Sequence, residues 1–348
     1  MPDRISRDHP VKPKPSIKDV ARLAGVSTAT VSRSLNEPRR VNQLTLESVR
    51  NAVDQLGYTP HFGGRALASN KSNTIGALIP TMDNAIFARG LQALQETLAD
   101  AGITLLIATS GYDPEREYEQ IQALLSRGVD GLMLIGIARP ERTYALLDQQ
   151  GIPVVIAWSY RADTKYPCVG FDNHAAAAEL TNCVLEFGHC RVAMIAGVSQ
   201  GNDRAADRIA GVRAVLASRG LSLTDNNLVE VAYNLEDAAA AMKTLMSRAD
   251  RPTAVICGND VLAAGALMHV KQAGLAVPGD VSVVGFDDID LASVTDPPLT
   301  TVHVPHRRMG QATAELLLAM GSGTRNVASV KFQPQLVMRG SLDKPPPP

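Results

Sequence analysis

The segment STATVSRSLN, residues 27–36, puts Thr28, Ala29 and Arg33 on the outward face of a short helical pattern. These residue types suit hydrogen bonding to DNA rather than catalysis. An arginine fork matches the O6 and N7 of guanine, and short side chains accept a thymine methyl or allow close approach. A second polar string, QGNDRAADR at 200–208, gathers Asn202, Arg204 and Arg208. Amide and guanidinium groups suit a ligand rich in hydroxyl groups. Covalent chemistry finds less support, since no dinucleotide cradle, phosphate cradle or nucleophile elbow is read in the chain. His174, His189, His269, His303 and His306 lack metal-ligand spacing and read as caps or surface residues. Cys168, Cys183, Cys190 and Cys257 form no CxxC pair and read as reduced thiols of a cytoplasmic protein. The expectation is a protein that is not an enzyme and carries no cofactor and no metal.

The first string must be held by short helices. Ser16 caps a helix over Ile17–Ala24, with Val20, Leu23 and Ala24 as its apolar face and Gly25 as its stop. Ser27 caps a second helix, Thr28 to about Leu35, with Val31 and Leu35 inward at i, i+4 spacing. Asn42 or Thr45 starts a third, lined by Val49, Val53 and Leu56, which Gly57 stops before Pro60. The first two read as a helix-turn-helix. A polar, small-residue linker, HFGGRALASNKSN, follows at 61–73. Beyond it, strands at 75–79, 104–108, 131–135, 154–157, 169–171, 192–196, 228–231, 254–257 and 281–285 alternate with helices at 87–101, 116–126, 175–187, 205–219, 237–247 and 261–273. This alternation predicts parallel sheets wrapped by helices, with too many strands for one sheet, hence two lobes. A helix near 307–320 and a strand at 335–338 imply that the chain recrosses between lobes.

Charge divides the chain the same way. Residues 1–71 hold 12 basic against 6 acidic residues, and the remainder 22 against 29, although the 348 residues sum to −1. A basic head on an acidic body suits a head that meets phosphate. No apolar run reaches the roughly 18 residues needed to span a bilayer, and the start MPDRISRDHPVKPKP has no apolar signal core.

The strings IKDVARLAGVSTATVSRSLN and VNQLTLESVRNAVDQLGYTP, with SVVGFDD and PPLTTV near 281–302, resemble the LacI/GalR family of bacterial transcription regulators. The resemblance covers about residues 16–340. It implies that Thr28 and Ala29 read bases with Arg33, and that Ser16, Ser27, Thr30, Asn36 and Tyr58 complete the DNA surface, with Ser27, Thr30 and Asn36 on phosphates. The linker resembles the family's hinge helix, with Leu67 as the minor-groove wedge. Gly63 and Gly64 depart from the family pattern, and each costs about 1 kcal/mol relative to alanine in a helix. The hinge is therefore expected to order only on operator DNA.

The resemblance also implies an α/β fold, a small all-α helix-turn-helix head on a two-lobed, periplasmic-binding-protein-like body of parallel sheets wrapped by helices. The expected divisions are a disordered arm at 1–15, the head at 16–60 and the hinge at 61–72. One lobe takes 73–172 and 302–330, the other 173–301 and 331–342, and a disordered tail takes 343–348. Ligand is expected between the lobes at the carboxyl ends of the strands. The residues there are Asn84, Phe87, Trp158, Asp172, Asn202, Arg204, Arg208, Tyr233, Asn259 and Asp287. Trp158 equally suits core packing, and Asp172 a helix cap. Asp260 reads as an N-cap and Asp288 as solvated. Arg204 fits either an anionic ligand or a helix-start charge.

The function expected is a cytoplasmic transcriptional regulator, a repressor acting as a homodimer on double-stranded operator DNA, with no membrane partner. Its effector would be a sugar, sugar acid or sugar phosphate. The alternatives are a purine-type corepressor in the same cleft or a solute-binding protein. The proline-rich end LDKPPPP cannot form a tetramerising helix.

Overall fold

A computed structural model describes residues 14–59, 71–83, 85–324 and 326–347. The arm up to residue 13, Pro60, the hinge with Phe62, Gly63, Gly64 and Leu67, the cleft candidate Asn84, and Pro348 lie outside the described residues. The chain divides into two units, with the boundary between Ser72 and Asn73.

The first unit is three helices, α1 (Ile17–Ala24), α2 (Thr28–Asn36) and α3 (Gln43–Leu56). Ser16 and Asp19 close a capping box, in which the Asp19 carboxylate accepts the Ser16 N–H at 2.9 Å and its hydroxyl at 2.6 Å. Ser27 caps α2 by accepting the Thr30 N–H at 3.1 Å, and Asn42 caps α3 by accepting that of Leu44 at 2.9 Å. Asn42, not Thr45, is therefore the start. Val20, Val31, Val49 and Ala52 fill the core with the Tyr58 ring. The Ser48 hydroxyl donates to the Ala24 carbonyl at 3.1 Å and ties α3 to the end of α1.

The second unit contains two parallel sheets. β1 (Thr74–Ile79), β2 (Thr104–Thr109), β3 (Gly131–Ile135), β4 (Val154–Ala157), β5 (Cys168–Gly170) and β11 (Val330–Lys331) form one in the order β11-β5-β4-β3-β1-β2. β6 (Val192–Gly197), β7 (Leu228–Val231), β8 (Ala254–Cys257) and β9 (Ser282–Val284) form the other in the order β7-β6-β8-β9. β1, β3 and β4 are buried on both faces, as apolar runs in a helix-covered parallel sheet must be. The helices are α4 (Ala85–Asp100), α5 (Pro114–Ser126), α6 (Glu141–Gln150), α7 (Asn173–Glu186), α8 (Asp203–Ser218), α9 (Leu235–Met246), α10 (Asp260–Gln272), the short α11 (Asp290–Val294) and α12 (His306–Gly321).

The predicted strands and helices lie within about two residues of the observed ones. α6, α11, β10 (Thr301–His303) and β11 were not anticipated. They are short or carry little periodic apolar pattern, and β10 and β11 gain their order from distant partners. β10 pairs antiparallel with β12 (Gln335–Val337) where the chain passes between the sheets, and β11 adds to the edge of β5. After β12 the chain returns to the second sheet, where the Val283 N–H donates to the Ser341 carbonyl at 2.9 Å. The tail is pinned further than expected, because the Asp343 carbonyl lies 2.8 Å from His189 Nε2.

Candidate functional site

In the head, the structure leaves the outer face of α2 exposed. Ser27, Thr28, Ala29 and Arg33 are exposed and Thr30 is half-buried. Val31 is fully buried and Ser34 nearly so, with the Ser34 hydroxyl returned to the Thr30 carbonyl at 2.8 Å. α2 thus spends one face on the core and leaves the other exposed. Two predicted DNA residues have local duties first. Tyr58 is buried in the core, so only its rim is available. The Ser16 hydroxyl is held by Asp19. The side chain of Asn36 lies outside the described residues.

In the body, loops at the carboxyl ends of both sheets converge. Arg208 on α8 is 6% exposed, with its guanidinium 3.7 Å above the Phe286 ring. Its Nε donates to Asn173 Oδ1 at 2.9 Å, Nη1 to the Gly258 carbonyl at 2.6 Å and Nη2 to Asp287 Oδ1 at 3.4 Å. Burial pushes the Asp287 carboxyl up to about 6, against the pull of Arg208. Asn259 caps α10 by accepting the Leu262 N–H at 2.9 Å. Its Nδ2 and Asp287 Oδ2 are buried and have no partner. An unpaired buried donor or acceptor is costly.

Aromatic rings wall this cluster. Phe87 on α4 meets Trp158 edge-on, with centroids 5.7 Å apart. Trp158 Nε1 donates to His306 Nδ1 at 3.1 Å. Burial, helped by the Arg208 charge, pushes His306 down to about 3, so the ring is neutral and can accept. α4 approaches the indole at Gly90, where an added Cβ would collide with the ring. Phe87, Trp158, Arg204, Arg208, Asn259 and Asp287, with Tyr112 and Tyr233, enclose a chamber of about 20 Å³, room for one water. The tyrosine rings, 6.0 Å apart, separate it from an outer groove of about 810 Å³ lined also by Pro114, Val198, Gln200 and Val231. Trp158, Tyr112 and Asp287 have φ of +63°, +63° and +105°. Left-handed backbone at non-glycine residues costs energy and clusters at functional sites.

Arg204 and Asp203, at the start of α8, reach across to the first sheet. Asp203 Oδ2 accepts the Ile137 N–H at 2.9 Å and the Ser159 hydroxyl at 2.7 Å, and Oδ1 accepts from Arg204 Nη1 at 2.9 Å. Burial alone would raise the Asp203 pKa, but the Arg204 charge and these donors leave it lowered. Gly136, at φ +72°, makes room for the pair, since a Cβ there would run into both side chains. Arg139 Nε lies 2.8 Å from Glu117 Oε1 behind them.

Several expectations need correction. Asp172 accepts the Ala175 N–H at 2.9 Å as the cap of α7 and does not line the chamber. Asn202 caps α8 and donates to the Val198 carbonyl at 3.2 Å and the Tyr233 hydroxyl at 3.3 Å, so it positions the tyrosine instead of facing ligand. The cap before α10 is Asn259, not Asp260. Asp260 is fully buried, and accepts the Ile289 N–H at 2.8 Å and the Thr301 hydroxyl at 2.5 Å. Asp288 is not freely solvated, for it holds Arg339 at 2.7 Å and His303 at 2.9 Å. His306 and His189 are buried rather than on the surface. Tyr112, Asp203, Asn173 and Phe286 were missed, because each acts through partners dozens of residues away.

GVSQG at 197–201 has GxSxG spacing between β6 and α8, contrary to the expectation of no nucleophile elbow. Glu230 accepts the Ser199 N–H at 2.6 Å, and no histidine bonds to Ser199 among the described residues. The spacing is that of a loop, without a triad.

Residues 16–61 match the bacterial regulatory proteins of the lacI family, and residues 181–342 a periplasmic binding protein-like domain. The chain is 35% identical over 336 residues to the transcriptional repressor PurR of Vibrio parahaemolyticus, covering 94% of this chain and 99% of that one. The chain belongs to the LacI family. As a LacI-family member it is a DNA-binding transcriptional regulator controlled by small molecules, not an enzyme. Among solved structures of the family, it resembles the lac repressor dimer bound to operator and an anti-inducer. That match has a TM-score of 0.81 and 25% identity, over 94% of this chain and 99% of that one. A complex of the regulator CelR with cellobiose matches with a TM-score of 0.68 and 28% identity, over 94% and 99%.

Proposed function

We propose that this LacI-family regulator is a homodimeric repressor whose effector is a small hydroxyl-rich molecule bound between the two sheets of the body. One observation carries the effector reading: Asn259 Nδ2 and Asp287 Oδ2 are a buried donor and a buried acceptor facing one chamber with nothing to bind. A vicinal diol satisfies both, donating to Asp287 and accepting from Asn259. The aromatic walls suit the apolar face of a sugar ring, and the CelR–cellobiose complex is a sugar-bound relative. The lac repressor dimer on its operator supports the paired-head arrangement. Two copies of Thr28, Ala29 and Arg33 would enter successive major grooves of a pseudo-palindrome, with Ser27 and Thr30 on phosphates.

A chamber with room for one water cannot take a sugar until Tyr112 and Tyr233 part and join it to the outer groove. Ligand and lobe arrangement are therefore coupled, and a ligand that prefers one arrangement shifts operator affinity, typically by about 1–3 kcal/mol. The test is a thermal-shift screen of sugars, sugar acids, sugar phosphates and purines on the full chain, followed by operator binding with each hit. A hit that Asp287→Asn abolishes, and that changes operator affinity, supports the reading; a hit indifferent to Asp287→Asn refutes it. The flat aromatic walls formed by Phe87, Trp158, Tyr112 and Tyr233 favour a second reading, a purine base stacked between them, which the purine arm of the screen decides.

A further inference from the structure

The two cleft arginines differ in how much of their bonding the protein uses. Arg208 has Nε, Nη1 and Nη2 all engaged by protein acceptors. Arg204 is 8% exposed, donates through Nη1 to Asp203 and contacts the Tyr112 hydroxyl. A guanidinium carries five N–H groups, so Arg204 keeps donors in hand on the wall of the chamber.

Its carboxylate partner is shared with other donors. Asp203, its ion-pair partner, gives one oxygen to Ile137 and Ser159 and only the other to Arg204. Asp287 answers Arg208, and Glu117 answers Arg139. Burial raises the pKa of both Asp287 and Glu117, which weakens the negative side of the balance. Asn259 Nδ2 adds a buried donor without a partner to the same chamber. The complement to this wall is a molecule with an anionic group for the arginine fork and a hydroxyl for Asp287 Oδ2. A carboxylate or phosphate matches the unused side of the Arg204 fork with paired, charge-assisted bonds, which are stronger than those to a neutral hydroxyl.

We infer that the cleft selects a hydroxylated small-molecule anion, a sugar acid or a sugar phosphate, and that Arg204 is the residue that reads its charge. This rests on the cleft being the effector site, and names the effector's class within that reading. It also gives Asp203 a role, since the carboxylate that steadies Arg204 is the one that clasps Ile137 and Ser159 across the cleft.

The test uses the full chain and four probes: D-gluconate, D-glucose 6-phosphate, D-glucose and inorganic phosphate, each against sodium chloride at matched ionic strength. Calorimetry and thermal shift should show at least tenfold tighter binding of gluconate or glucose 6-phosphate than of glucose. The preferred one separates the carboxylate source from the phosphate source. Inorganic phosphate should bind weakly. Arg204→Gln should weaken every anion at least tenfold and glucose by much less, and Arg204→Lys should recover part of the loss of anion binding. Glucose binding as tightly as the anions, no probe binding above the salt control, or anion binding that survives Arg204→Gln would each overturn the inference. The wild-type comparison decides even if a variant misfolds. Operator binding separates the two readings: anions that bind without changing operator affinity keep the charge selectivity and remove the effector role.

Discussion

Arg33 in the head and Arg208 in the body are held in opposite ways. Arg33 stands exposed on α2, and the head's core closes beneath it without its help. Arg208 is buried, bonded to three partners and stacked on Phe286. A DNA reader waits on the surface because the duplex is larger than the head. A small-molecule reader must surround its ligand, so its polar groups are buried before ligand arrives and each needs partners. Recognition and stability are thus separable in the head and entangled in the cleft.

The largest expected effect tests that entanglement. Arg208→Ala leaves Asp287 buried without its cation and removes the donors serving Asn173 and the Gly258 carbonyl. Removing one partner of a buried pair costs about 3–5 kcal/mol. Urea unfolding followed by the fluorescence of Trp158, the chain's single tryptophan, should show that loss together with loss of ligand. A stable Arg208→Ala that merely fails to bind would break the contrast.

Arg33→Ala is the matching change in the head. Stability should stay within about 0.5 kcal/mol of the parent, as for surface positions without special contacts. Discrimination between the operator and a single-base variant should fall by about 1–3 kcal/mol, measured by fluorescence anisotropy at fixed salt. Equal weakening on every duplex would reassign Arg33 to phosphate.

Legibility in the sequence followed the same divide. The head's elements were readable, because its caps (Ser16, Ser27, Asn42), its stops (Gly25, Gly57) and most of its apolar spacing are local signals, although Leu23, read as part of the apolar face of α1, is exposed. The body's alternating strands and helices were readable for the same reason. The cleft was readable only in part. Arg208, Asn259 and Asp287 announced themselves as polar residues after strands, but so did Asp172 and Asn202, which proved to be a cap and a positioning residue. Whether a polar residue after a strand faces ligand or caps the next helix depends on partners far away in the chain. Tyr112 meeting Tyr233 and Asp203 meeting Ser159 leave no local trace.

Acidity should separate the regions by sign. Asp260 is pushed up to about 8 by burial and by Asp287, and Asp287 to about 6 by burial. Both bind a proton more tightly folded than unfolded, so their contribution is lost as pH rises from about 4 through these values; the lowered His306 opposes them up to about 6.5, and above that the decline is that of Asp260. In the head, hydrogen bonds from Ser16 hold the Asp19 carboxyl below its usual range. Its contribution is present above that range and is lost as pH falls. Trp158 fluorescence reports the body, and hydrogen exchange at residues 17–56 reports the head. Asp260→Asn should flatten the body's decline between pH 6 and 8, because an amide can accept from Ile289 and donate to the Thr301 oxygen. A body whose stability rises across that interval would overturn the assignment.

The smallest expected effect lies at Ser27, where the head's separation of duties is thinnest. Its hydroxyl accepts the Thr30 N–H and lies 2.9 Å from the Thr30 hydroxyl, yet the residue is exposed, and our proposal places it on phosphate. Ser27→Ala should cost about 1 kcal/mol of head stability through the lost cap, and should weaken all duplexes alike. Ser27→Asp pulls the two roles apart. A carboxylate caps as well as a hydroxyl and favours the positive end of α2, so stability should hold or rise slightly. The same charge repels phosphate, so DNA affinity should fall in every sequence context. If affinity instead followed stability through both variants, Ser27 would act on DNA only by holding α2 in shape, and the head would share the cleft's entanglement at this one position.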